Sequence, residues 1–240
     1  MYNKTTHRIT MHVCIVILIT LAFLVSGCSL LGGRDGEWIV GEGLLTSIQD
    51  AIDLAADDGT VILLPGTYRE SINFNGKNIT LRSATRLELD DMSWDYPGDP
   101  DDFDIVAETI IDGGGAETVI ALDSGVEREA EIRGLTVTDG GQGILVEKGS
   151  VVTITDNIIK NNTNGGIVLV ASSSNADQSD TPSEAFITGN TIHNNTRAVG
   201  GGVHLSHNAQ ATIEENVFTG NNATQTSAPY GGAAIGFYTF

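Results

Sequence analysis

The sequence predicts an all-β fold: one parallel β-helix, in which each turn of chain stacks on the last, closed at its start by a single α-helix. Three observations predict it. Four segments repeat one pattern: AEIRGLTVTDG (130–140), VTITDNIIKNN (152–162), AFITGNTIHNN (185–195) and ATIEENVFTGN (211–221). Each is followed by a glycine-led apolar strand, GGQGILV, NGGIVLV, GGGVHLS and GGAAIGF. Between them no segment has the length and periodicity of a crossover helix, so the strands must stack as coils.

The repeats define columns. Ile132, Ile154, Ile187 and Ile213 share one frame position, and five residues later stand Val137, Ile159, Ile192 and Phe218. Stacked coils place such a column in a ladder at roughly 4.8 Å per rung. Between the two apolar columns lie Asn157, Asn190 and Asn216, with Leu135 in the first repeat. These read as a turn ladder whose amides bond up and down the stack. The N-x-T strings at Asn78, Asn161, Asn194 and Asn222 read the same way, as turn-ladder positions rather than glycosylation signals. The Ile spacings of 22, 33 and 26 residues absorb polar insertions such as SSSNADQSDTPSE.

The cap precedes the coils. In TSIQDAIDLAADD (46–58), Ile48, Ala51, Ile52 and Ala55 fall at i, i+3, i+4 and i+7, one face of a helix. Thr46 and Gln49 have the spacing of a capping box, and Gly59 is the expected stop. Such a helix would hide the apolar side chains and strand edges of the first turn. The strands TVILLP, GTYRESINF and KNITLRS follow.

Residues 1–27 read as an export signal: Lys4 and Arg8 without acids, then the apolar run ITMHVCIVILITLAFLV. Val25-Ser26-Gly27-Cys28 resembles the lipobox of bacterial lipoproteins, which implies cleavage before Cys28 and lipidation of its sulfur. The expected location is then the outer membrane or cell surface, with the membrane reached through that anchor. Residues 28–44 form a tether and 45–240 the β-helix of about six or seven coils. The last strand, GGAAIGFYTF, would leave Ile235 and Phe237 open, so a further segment or another chain is expected there.

The run SIQDAIDLAADDGTVILLPGTYRESINFNGKNITLRS, with TIIDGGG and EIRGLTVTDG after it, resembles the bacterial right-handed parallel β-helix repeat proteins of the pectin-lyase-like superfamily. That resemblance spans about 45–240 and implies the right-handed coil. It does not choose an activity, since the superfamily holds lyases, hydrolases, esterases, adhesins and non-catalytic proteins.

Charge narrows the partners. Twelve Lys and Arg against 31 Asp and Glu give a net charge of −19, and −21 once the leader is lost. Nucleic acid is excluded as a partner, because phosphate binding needs clustered cations. An acidic polymer is disfavoured unless calcium bridges it. The two cysteines, Cys14 and Cys28, both precede the body, which therefore holds no disulfide.

Candidate site residues lie in two places. The acidic segment 88–104 interrupts the coils and reads as a charged loop. Its Asp99, Asp101, Asp102 and Asp104 are candidate calcium ligands, without the spacing of a helix–loop–helix calcium site, and Trp94 and Tyr96 are candidate sugar-stacking aromatics. On the coils, an outward column reads Thr138, Lys160, His193 and Thr219. The resemblance implies that a lyase would carry a basic residue on such a face, so Lys160 and His193 are the candidate catalytic pair. The acid triplets of the hydrolases have no counterpart in the column Arg133, Thr155, Thr188, Glu214. His204 and His207 lack an evident third ligand for a metal. The leading expectation is a carbohydrate-engaging surface module. The alternatives are a polysaccharide lyase or hydrolase and a structural surface protein or adhesin stalk.

Overall fold

The structure is a computed structural model, and it describes residues 36–41, 45–93, 95, 104–123, 129–171, 182–225 and 232–238. Every strand pairing among them is parallel. Three sheets run the length of the molecule. The first has seven strands, from Glu37–Val40 through Thr60–Leu63, Thr80–Ser83, Glu129–Arg133, Val151–Thr155 and Glu184–Thr188 to Gln210–Glu214. The second has six, from Gly66–Tyr68 to Val217–Thr219, and the third six, from Ile72–Asn73 to Ile235–Tyr238. From Thr60 on, each coil contributes one strand to each sheet in turn, and the fold is the expected right-handed parallel β-helix.

The isoleucine frame is the register. Ile132, Ile154, Ile187 and Ile213 are direct partners on successive rungs. Leu81, Val61 and Trp38 extend the column toward the start of the chain, so the first strand, Glu37–Val40, lies inside the segment expected as tether, because its apolar run pairs with Thr60–Leu63. The second inward column runs Tyr68, Ile111, Val137, Ile159, Ile192 and Phe218. A third runs Ile72, Ile120, Ile144, Ile167, Val203 and Ile235. The three columns meet in one continuous core. Phe237 partners Leu205 on the inward side of the third sheet and is 57% exposed.

Two asparagine ladders, not one, turn the corners. Asn157 Nδ2 donates to Asn190 Oδ1 (3.0 Å), and Asn190 Nδ2 to Asn216 Oδ1 (2.9 Å). The same oxygens accept the backbone N–H of the Asn one rung earlier. Where the first repeat has Leu135, its backbone N–H takes the Asn157 oxygen. The second ladder is Asn162, Asn195 and Asn221, at the corner between second and third sheets. This corrects the turn-ladder expectation for Asn161 and Asn194. Both adopt left-handed backbone (φ 57°) one residue before the rung, a conformation asparagine tolerates. At the other corner the same left-handed position is filled by Gly134, Asp156, Gly189 and Glu215.

The cap is helix α1 (Ile48–Leu54), but its ends differ from expectation. Ser47, not Thr46, is the N-cap, its side chain accepting from Asp50 N–H. Glu70 completes the cap from the first coil by accepting the Ile48 and Gln49 N–H groups (3.0 and 3.2 Å). Gln49 is thereby released to bond the Asn73 backbone at both its N–H and its carbonyl. Gly59 is not the stop. The helix ends at extended Ala55, and Lys77 Nζ gathers the carbonyls of Ile52, Asp53 and Ala55 at 2.7–2.9 Å. A cation at that end satisfies orphan carbonyls and opposes the helix dipole.

The acidic segment begins as helix rather than loop. Helix α2 (Arg86–Asp91) carries the true capping box, Thr85 with Glu88. It seats Leu89 on the outer side of the first sheet, in a second small core with Ile62, Leu64 and Ala84. Glu88 accepts two bonds from Arg82 (2.6 and 2.8 Å) and one from the Thr85 N–H (2.7 Å). The Arg82 bond, helped by Thr85, holds Glu88 at about 2, against the upward push of desolvation. A carboxylate lowered on folding stabilises the fold in full above its unfolded value, and that stability is lost as pH falls through its folded value. The melting temperature is therefore expected to drop between the ordinary glutamate range and about pH 2, more steeply in the native protein than in Glu88→Gln. Equal slopes for the two proteins would show that the pair does not hold α2.

Candidate functional site

The outer faces of the sheets are where side chains leave the core. On the second sheet the outward column reads Asp112, Thr138, Lys160, His193 and Thr219, each the partner of the next. Lys160 and His193 thus stand on adjacent rungs. Partial burial, and then the charge of Lys160, push His193 below the ordinary histidine range, which favours its neutral form. A neutral imidazole beside an ammonium group can accept a proton or bind hydroxyls. A uronate lyase also needs clustered acids to hold a cation against the substrate carboxylate. Around this pair Asp112 faces Arg69 at 3.6 Å, and Asp139 accepts from Thr138 at the corner. Among the described residues no three His, Cys, Asp or Glu groups converge to hold a metal.

The acidic segment contributes one describable candidate. Asp104 caps the short helix α3 (Ile105–Glu108), its Oδ1 accepting from Val106 and Ala107 N–H. Trp94, Tyr96, Asp99, Asp101, Asp102 and Cys28 lie outside the described residues. His204 is buried on the third sheet, its Nδ1 2.9 Å from the Val199 carbonyl. Burial, then the nearby charge of Arg197, push it down to about 4. It is a packed, neutral side chain.

The first sheet holds a feature that the isoleucine frame hides. Phe186 stands one residue before Ile187 and so points outward, 42% exposed. Its rung partners are Thr153 and Thr212, and Thr155, Thr188 and Glu214 form the neighbouring outward column. The ring therefore lies on a flat, hydroxyl-rich face, with Glu184 on its own strand and Glu214 on the next. The sequence signal was an aromatic residue at an outward frame position where the other repeats carry Glu131, Thr153 and Thr212.

These faces belong to a solenoid whose core is filled by ladders, the architecture of a right-handed parallel β-helix protein. The chain matches the family described as right-handed beta helix region over residues 106–238, more than half its length, and it belongs to that family. No curated protein and no solved structure matches it.

Proposed function

We propose that this protein is an exported, lipid-anchored module that engages polysaccharide along an outer face of its coils. The observation that carries this reading is Phe186, an exposed ring set among threonines on a regular, flat face. An aromatic ring takes the C–H face of a sugar, and hydroxyls and carboxylates at strand spacing take the sugar hydroxyls. The surrounding glutamates and the charge of −19 favour a neutral polymer, or an acidic one bridged by calcium. Export and anchoring are supported by the leader of residues 1–27 and by Cys28. Cys28→Ala is expected to remain unprocessed or to lose its membrane association in cell fractionation. Unchanged fractionation with membranes would favour a transmembrane leader.

The test of the functional reading is a glycan array probed with residues 29–240, with calcium and with chelator. Retention on neutral glycans is expected. No binding under either condition would favour the structural alternative, an adhesin stalk. The Lys160–His193 pair supports a second reading, a lyase. It predicts unsaturated product from a uronate polymer, read by absorbance, and loss of that product in Lys160→Ala.

A further inference from the structure

Helix α2 leaves a cleft of about 420 Å³ between itself and the outer face of the first sheet. It lies at the N-terminal end of the coils, several rungs from Phe186, and plays no part in the polysaccharide reading. Its floor is Ile39 and Ile62, partners on adjacent strands, and its far wall is Leu87 and Met92 from the helix. Leu87 is 71% exposed. Its polar lining is Thr85 and three carboxylates, Glu37, Glu88 and Asp91. Among the described residues no basic side chain lines the cleft. Arg82, the rung partner of Ile62, is bonded to Glu88 through both terminal guanidinium nitrogens and also lies in the field of Glu37.

An apolar floor under a carboxylate rim has a definite chemical complement. A hydrocarbon or ring removes the floor from water, and a positive head meets Glu37 and Asp91 where the low-dielectric wall weakens screening. The volume suits a small molecule, and mostly apolar lining with a few charged groups is the usual make-up of such sites. A neutral apolar ligand would gain nothing from the carboxylates, and an anionic one would face three of them against the single charge of Arg82. The net charge of −19 draws cations to the surface generally, and the cleft couples that charge to an apolar floor.

We propose that the cleft beneath α2 binds a small organic cation: an ammonium group carried on an apolar body. The probe is benzyltrimethylammonium, titrated into residues 29–240 by calorimetry or by NMR shifts, with benzyl alcohol and benzenesulfonate as the neutral and anionic comparisons. Saturable one-site binding of the cation is expected, about tenfold or more tighter than either comparison. The double variant Glu37→Gln, Asp91→Asn is expected to lose that preference while keeping its circular dichroism and melting temperature. Neither side chain is hydrogen-bonded to Arg82, and the melting temperature checks that the Arg82–Glu88 pair still holds α2. Leu87→Asp tests the floor and wall separately and is expected to weaken the cation despite the added charge. Equal affinity for the three probes, binding unmoved by the double variant, or no saturable binding would each overturn the proposal.

Discussion

Replacing Asn190 by alanine is expected to destabilise the protein by about 3 kcal/mol or more, because several buried polar groups lose their partners at once. Asn190 Nδ2 donates to the Ile154 and Thr188 carbonyls and to Asn216 Oδ1. Its Oδ1 accepts from the backbone N–H and side chain of Asn157. The position is closed to bulk solvent in the native protein, Asn157 and Asn190 each being 1% exposed. The Asn157 N–H would be left buried and unsatisfied, at about 1–3 kcal/mol, and the Ile154 carbonyl, the Asn157 side chain and Asn216 would each lose a partner. Asn208→Ala, at an exposed turn, is expected to change stability by about 0.5 kcal/mol or less. Urea unfolding of the two variants measures the contrast. Similar midpoints would mean that the ladder does not hold the corner.

Ile154→Ala and Ile187→Ala are each expected to cost about 2–5 kcal/mol, the range for emptying a packed core position. The two side chains are fully buried rung partners, so each cavity opens against the other. A solenoid has one narrow core and cannot repack from the far side. Thr155→Ala and Thr188→Ala, one residue on, point outward and are expected to stay within about 0.5 kcal/mol. Because alternation along a strand is strict, equal effects at neighbouring positions would mean a one-residue error in register. The double variant Ile154→Ala, Ile187→Ala is expected to depart from additivity, as contacting residues do.

The same periodicity explains what could be read in the sequence. The isoleucine columns and the first asparagine ladder recur at one frame position in consecutive repeats, so their stacking was legible without coordinates. The second ladder, Asn162, Asn195 and Asn221, was equally regular, but its asparagines sit beside Asn161 and Asn194. Only the backbone distinguishes the left-handed residue from the rung. The ends of α1 were not legible, because Glu70 and Lys77 reach it from later strands. A local capping-box pattern at Thr46 competed with a real cap assembled at a distance of more than twenty residues. Helix α2 was hidden by composition: its capping box, Thr85 to Glu88, opens an acidic run whose charge reads as loop.

The candidate site was less legible than the fold. Frame analysis does give the outward column of Lys160 and His193, and the structure places them on adjacent rungs. It does not say which outward residue is functional, because outward positions carry no packing constraint and so no periodic signal. Phe186 is hidden for that reason: its strand shows itself through Ile187, and an aromatic next to a core residue resembles more core unless strict alternation is applied.

The most direct measurement is the affinity of residues 29–240 and of Phe186→Ala for a neutral polysaccharide that the protein retains on the array. The ring lies outside the core, so the substitution is expected to leave the melting temperature unchanged while weakening binding about tenfold or more, in line with the loss of one aromatic–sugar stack. Phe237→Ala, also exposed but at the last described rung, is expected to bind as the native protein does. Undiminished binding by Phe186→Ala would contradict the assignment of this face as the binding surface.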